Sequence, residues 1–236
     1  MQYVISDIHG CYEEYRKALA EIGFSSDDIL YVNGDVLDRG ENGIQILKDM
    51  MMRDNVYPVL GNHEFMALSV LRKLGVEISD ESIAALKEED LSSFRYWMED
   101  GGEMTVRQFC RCDAEEREMI LEYLEEFTLY EETEAGGKEF IIVHAGFEPF
   151  DEKKEPGDYT LEECIFTSCD PRKPYYKDRY VITGHTPTLS LPEPYKGKIA
   201  EINGHIMIDC GCVFGGSLGV YCLETGKKWY IPKIRK

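Results

Sequence analysis

Residues 29–40 read ILYVNGDVLDRG. An apolar run, Ile29 to Val32, ends in a loop that sets Asp35, Asp38 and Arg39 between Gly34 and Gly40. A short apolar run closed by turn residues reads as a buried strand. The same pattern recurs on both sides. Tyr3-Val4-Ile5 stops at Ser6-Asp7-Ile8-His9-Gly10, and Val56 to Leu60 stops at Gly61-Asn62-His63-Glu64. Between these runs the period changes. Tyr15, Leu19 and Ile22 share one face of a helix expected over Tyr12 to Ile22, a second is expected around Ile44, Leu47 and Met51, and a third after Asn62. Strand, loop and helix in repetition predict βαβ units, with strands buried on both faces.

From Ser79 to Phe127 the pattern turns helical, broken at Asp100-Gly101-Gly102, and reads as a helical insertion packed over one face of the sheet. Further strands are expected at Phe140 to Val143, Tyr180 to Thr183, Ile206 to Ile208, Leu218 to Leu223 and Lys228 to Ile231. The stretch from Phe147 to Lys177, rich in charge, Pro and Tyr, reads as rim loops. With no internal repeat or linker, the expectation is one α/β domain over residues 1–236, with the insertion at about 79–127.

Composition narrows the function. The chain has 236 residues and a formal net charge of −19. Such a field repels nucleic acid, and would repel phosphorylated substrates unless a local positive charge overrides it. The acidic run from Asp113 to Glu134 interleaves with Ile120, Leu124 and Phe127, as in an amphipathic helix with a solvated face. No apolar stretch approaches the ~20 residues that cross a bilayer. Without an export signal at MQYVISDIHG, a soluble cytoplasmic protein with no membrane partner is expected. The eight cysteines include two Cys-x-Cys pairs but no paired Cys-x-x-Cys frame, so reduced, partly buried thiols are expected rather than structural zinc.

The chemistry-bearing residues sit where strands end. To the three loops above are added Val143-His144-Ala145-Gly146 and Thr183-Gly184-His185-Thr186. Ligands of open α/β sheets bind at the carboxyl ends of the strands. Asp7, His9, Asp35, Asn62, His144 and His185 offer carboxylate, imidazole and amide oxygen, a set that suits Mn²⁺, Fe²⁺ or Zn²⁺ better than Ca²⁺. Six ligands are too many for one catalytic ion with an open position, but they suit two ions that share a bridge. Alone, each motif has a bland reading: a chance Asp-x-His, an Asn62 helix cap, a hydrogen-bonded core histidine. Their concurrence argues against this, because four of the five histidines fall in strand-end motifs. His205 does not, and carries no assignment.

In this order, the motifs DxH, GDxxDRG, GNHE, HAG and GHT resemble the phosphoprotein phosphatase branch of the calcineurin-like metallophosphoesterases. DIHGCYEEY and IDCGCVFGGSLGVYCLETG look most like its bacterial and phage serine/threonine phosphatases, with symmetrical diadenosine tetraphosphatases as cousins. The resemblance implies a sandwich of two mixed sheets flanked by helices. It implies that Asp7 and His9 hold one metal, that Asp35 bridges two, and that Asn62, His144 and His185 complete the second, with Mn²⁺ expected and Fe²⁺ or Zn²⁺ as alternatives. Arg39 and Asn62 would contact the phosphoryl group, and His63, oriented by Asp38, would be the general acid. The activity implied is a phosphomonoesterase that uses a metal-activated hydroxide on a phosphoprotein, phosphopeptide or small phosphate ester.

One position departs from the family pattern. A second phosphate-gripping arginine is expected where Ile165-Phe166-Thr167-Ser168-Cys169-Asp170 places Ser168. Arg172 is the candidate replacement, with Lys173 and Arg179 as others. The alternative activity is hydrolysis of a dinucleoside polyphosphate, from which Glu64 after His63 leans away. A non-catalytic phosphoprotein-binding relative is disfavoured, because the ligands and the acid are all present. Trp97 and the Gly101-Gly102 turn are candidates to line the substrate approach.

Overall fold

The structure, a computed structural model, describes residues 1–74 and 87–234; the first part of the expected insertion, 79–86, lies outside them. Two five-stranded mixed sheets carry the fold. The first has β1 (Gln2–Ile5), β2 (Ile29–Asn33) and β3 (Val56–Val59) in parallel, with β9 (Ser217–Cys222) and β10 (Lys228–Pro232) antiparallel beside β1, in the order β10-β9-β1-β2-β3. The second has β5 (Lys138–Val143), β6 (Arg179–Thr183) and β8 (His205–Met207) in parallel. It is edged by β4 (Tyr130–Ala135) and β7 (Ala200–Ile202), in the order β4-β5-β6-β8-β7.

Strand alternation builds three layers of core. Tyr3 and Ile5 point from β1 into an outer core under α1 (Tyr12–Ile22), α2 (Gly43–Met51) and α3 (Asn62–Leu74). Val4, between them, points the other way into the core that joins the sheets, where it meets Tyr31, Val59, Phe140, Ile142, Ile182 and Ile206. Ile141, Val143 and Val181 face a third core with Phe147 and Tyr159. Period-2 burial on both faces fits the apolar character of β1, β2, β5 and β6. The architecture is the expected sandwich of two mixed sheets flanked by helices.

The described insertion holds α4 (Glu88–Trp97), α5 (Glu103–Phe109) and α6 (Ala114–Glu125), which pack on α2 and α3. The break expected at Asp100-Gly101-Gly102 is present as a wide π turn over Met98–Gly102, in which Gly101 has φ 103°. Asp113 caps α6 by accepting from the Glu116 N–H at 2.9 Å. The rim between Phe147 and Lys177 is mostly loop but includes α7 (Leu161–Ile165), capped by Thr160.

All eight cysteines are free thiols, six of them buried. Cys11, Glu14 and Cys212 come together, and the Lys233 ammonium stands 3.1 Å from both Cys11 Sγ and Glu14 Oε1, so the cation there is the protein's own. Among the described residues, no helix is long and apolar enough to cross a membrane.

Candidate active site

Because β1, β2 and β3 run parallel, as do β5, β6 and β8, the loops that leave their carboxyl ends share one edge of each sheet. Hydrogen bonds join the two edges. Asn33 Nδ2 donates to Val143 O at 3.0 Å, and the His185 N–H donates to both Asp7 carboxylate oxygens at 3.0 and 3.1 Å.

Asp35 is the centre. Its Oδ2 lies 3.4 Å from His144 Nε2, 3.6 Å from His9 Nε2 and 3.9 Å from His63 Nε2. Asn62 Oδ1 lies 3.1 Å from His144 Nε2 and 3.0 Å from His185 Nδ1. Two sets of ligand-capable groups, His9–Asp35–His63 and Asp35–His144–His185, therefore share one carboxylate, each with its atoms within 4.8 Å. Of the six residues expected to hold metal, His9, Asp35, Asn62, His144 and His185 lie within these contacts, whereas Asp7 is in neither set and its carboxylate accepts from Ser6 Oγ and the His185 N–H. Each histidine on Asp35's near side is already aimed: Nδ1 of His9 donates to Leu37 O at 2.8 Å and Nδ1 of His144 to Asn33 O at 2.9 Å, which leaves each Nε2 for the cluster.

The backbone is strained here. Asp7, His9, Asp35, Asp38, Arg39 and His185 all have φ between 42° and 67°, and they are six of the seven described non-glycine residues with positive φ. Each such residue costs on the order of 1–3 kcal/mol and persists only where its surroundings over-determine it. Glu64 supplies part of that constraint, its buried carboxylate accepting from the N–H groups of Asp35, Val36 and Leu37 at 2.7, 2.8 and 3.0 Å. At Gly61, a Cβ would fall 2.3 Å from Asp35 Oδ1, so no other residue fits that turn.

His63 is held from behind. Its Nδ1 donates to Asp38 Oδ2 at 2.7 Å, and Asp38 also accepts from Trp97 Nε1 at 2.7 Å and from Thr105 Oγ1 at 2.5 Å. In front, His63 Nε2 lies 3.5 Å from Asp100 Oδ2, while Asp100 Oδ1 accepts from Arg39 Nη2 at 2.8 Å. Trp97, expected near the substrate approach, is fully buried and braces Asp38 instead; Asp100 is the residue of that turn that faces the cluster. Sequence reasoning had also passed over Thr105, and over Asp209, a buried carboxylate at the end of β8.

The electrostatics test the fit to metal. Burial raises the pKa of Asp7 well above the usual carboxylate range, helped by Asp209 and Asp35, and burial pushes Asp209 up to about 6. For Asp35 burial is outweighed by its histidines, led by His144, and its pKa falls well below the usual range. His144 shows the converse: burial opposes its charge, but Asp35 lifts it to about 10. Burial lowers His9 to about 3 and His185 to about 4. The Asp35 carboxylate is thus balanced by a proton on His144 and by the Arg39 guanidinium, whose Nη1 stands 2.6 Å from His9 Nε2. A proton and a guanidinium occupy places that dications suit, and the donor set fits two of them.

Arg172 is not brought to this cluster. Its side chain is 86% exposed and forks onto Asp170 at 2.8 and 2.9 Å. Arg179 is engaged by Glu132 and Glu155. Ser168 instead accepts from Thr186 Oγ1 at 2.7 Å. His205 donates from Nε2 to Lys173 O at 2.8 Å and serves the fold of the rim.

Several known proteins are similar to this chain. The family model described as calcineurin-like phosphoesterase matches residues 3–189. A symmetrical bis(5'-nucleosyl)-tetraphosphatase of Wigglesworthia glossinidia brevipalpis is 33% identical over 99 residues, 41% of this chain and 36% of that one, so the match spans about a third of that relative. The asymmetrical bis(5'-nucleosyl)-tetraphosphatase PrpE of Oceanobacillus iheyensis is 27% identical over 92% of this chain and 86% of its own. In fold, a crystallised candidate diadenosine tetraphosphatase superposes with TM-score 0.64 at 19% identity, covering 100% of this chain and 94% of that one. A serine/threonine phosphatase of Saccharomyces cerevisiae superposes with TM-score 0.51 at 15% identity, covering 100% and 80%. These tetraphosphatase matches favour the alternative activity over the phosphoprotein phosphatase expected first.

Proposed function

Since the chain belongs to the calcineurin-like phosphoesterase family, we propose that it hydrolyses phosphate bonds at the Asp35 cluster and takes dinucleoside polyphosphates as substrates. The cluster supports the phosphohydrolase reading. The likeness to PrpE over 92% of the chain is the observation that carries the substrate.

Asp7, His9 and Asp35 would hold one divalent ion, and Asp35, Asn62, His144 and His185 the other, with Mn²⁺ the expected metal. When bound, such ions supply positive charge at the phosphoryl group and acidify water for attack. The chain's own groups do the rest. Arg39, with Nη2 anchored on Asp100 and Nη1 at the edge of the cluster beside His9, would offer its planar fork to phosphoryl oxygens. Asn62, with Oδ1 turned to the histidines, has its amide nitrogen left to donate to substrate. As a water oxygen bonds to phosphorus and the bond to the leaving oxygen breaks, His63 gives its Nε2 proton to that oxygen. Burial works against the charged form of His63, but Asp35 and the Asp38 hydrogen bond outweigh it and raise its pKa.

A second reading, a serine/threonine protein phosphatase, is favoured by one observation. The chain Trp97–Asp38–His63, with Thr105 beside it, is an elaborate support for a proton donor. A serine alkoxide needs that proton more than a departing nucleotide does. Turnover of diadenosine tetraphosphate against a phosphoserine peptide, on Mn²⁺-loaded protein, separates the readings. A higher kcat/KM on the dinucleotide is expected, and the reverse order overturns the substrate proposed.

A further inference from the structure

A cavity of about 530 Å³ opens beside Arg39, between the Gly10–Tyr12 turn, residues 40–42 and the chain near Lys233. This volume is in the usual range for small-molecule sites. Arg39 belongs to both places, since it reaches His9 and also lines the cavity. A phosphoryl group gripped by Arg39 therefore has the cavity as its neighbour. The cavity's charge does not suit more phosphate: Glu13 and Glu41 line it, and its lysine, Lys233, is already paired with Glu14. Carboxylates and the Asn42 amide suit ribose hydroxyls and the amino and ring nitrogens of a base. Phe214, not itself a lining residue but next in the chain to Val213, which is, offers a flat face on the Arg39 side: it is 57% exposed, and the Arg39 guanidinium lies 5.3 Å from its ring centre. An exposed aromatic ring beside a phosphate-gripping arginine is a stacking platform for a base.

We propose that this cavity receives the nucleoside attached to the attacked phosphate, with the base against Phe214 and the ribose towards Glu41 and Asn42. The assignment rests on the dinucleoside polyphosphate reading and adds where half of that substrate sits. It also accounts for acid on the wall of a cavity next to a phosphate site, which a further phosphate-binding role would not.

The test compares two non-hydrolysable ligands with the same phosphonate head, α,β-methylene-ADP and methylenediphosphonate, by calorimetric titration of the Mn²⁺-loaded protein. The nucleotide should bind roughly tenfold tighter, in line with one stacked base and its hydrogen bonds. Phe214→Ala, a surface truncation, should abolish most of that advantage, and Asn42→Ala should reduce it. Equal affinity of the two ligands, or an advantage untouched in both variants, overturns the assignment. The substrate reading fails separately: if the nucleoside advantage is present but diadenosine tetraphosphate is not turned over, the cavity stands and the substrate is another nucleotide.

Discussion

Replacing His63 by Gln tests the mechanism most directly, because the structure separates its two nitrogens by role. Nδ1 is committed to Asp38 at 2.7 Å, and Nε2 faces the cluster, 3.9 Å from Asp35 and 3.5 Å from Asp100. Gln keeps a donor towards Asp38 but cannot release a proton at neutral pH. General acid catalysis is worth on the order of 10²–10⁴-fold, and its value grows with the basicity of the leaving oxygen. A phosphoserine peptide expels a strongly basic alkoxide, so its kcat should fall by the whole of that range. p-Nitrophenyl phosphate and diadenosine tetraphosphate expel stabilised anions, so their kcat should fall by about tenfold or less on the same argument. The assay is kcat on all three substrates at matched metal content, measured by elemental analysis. Equal losses on the three refute the proton-donor role. Loss of metal in His63→Gln would make this residue a ligand in the His9–Asp35 set and refute the division of labour argued here.

Four further outcomes follow from the site. Asp35→Asn should lower the metal content of both sites at once, since its Oδ2 faces His9 and His144 together; two tightly held ions in the purified variant would remove it as the bridge. Trp97→Phe keeps the buried volume but deletes a donor to Asp38, so the carboxylate should pull harder on the His63 proton and move the alkaline limb of kcat upward, while an unmoved limb rejects that link. Arg172→Ala should leave KM within about twofold, as expected for an exposed side chain tied to its own loop, and a large rise in KM would return it to the site. Metal-free protein should lose thermal stability as pH rises from 7 to 10. A histidine raised in the fold contributes stability that is complete below its unfolded pKa and is lost through the folded value, and for His144 that value is about 10, where Asp35 outweighs burial. Mn²⁺ should flatten this slope by replacing the proton, and a flat melting profile without metal contradicts the charge balance drawn above.

The parts of the fold that were legible in the sequence are those buried on both faces. β1, β2 and β5 read as apolar runs because helices or a second sheet cover each side. β4 and β7 were not anticipated, and both are edge strands of the second sheet. Tyr130–Ala135 reads YEETEA, because an edge strand with one solvated face needs no apolar run and is better protected by charge. The candidate ligand residues were legible because each follows a strand within a few positions. What stands behind the acid was not. Asp38 draws on Trp97 and Thr105, 59 and 67 residues away, and only the packing of the insertion brings them near. Arg172 was misplaced for the opposite reason: a sequence offset locates a loop residue but not the carboxylate that captures it, here two positions earlier.

The overall charge bears on how the proposed site would meet phosphate. At −19, the chain repels a polyphosphate, and Asp35, held well below the usual carboxylate range by its histidines, adds to that at the site itself. The local positive charge is led by Arg39, held against His9 and Asp100, and by the His144 proton beside Asp35. Neither is free to meet phosphate until something else neutralises the carboxylates. Divalent ions held by the candidate ligands would supply that charge and, in the function proposed, leave the Arg39 guanidinium for phosphoryl oxygens. Metal and phosphate must then favour each other to the same extent, since coupling between two binding equilibria is reciprocal. In that state the acidity of the rest of the chain would direct phosphate to the loaded cluster, since the remaining surface repels it.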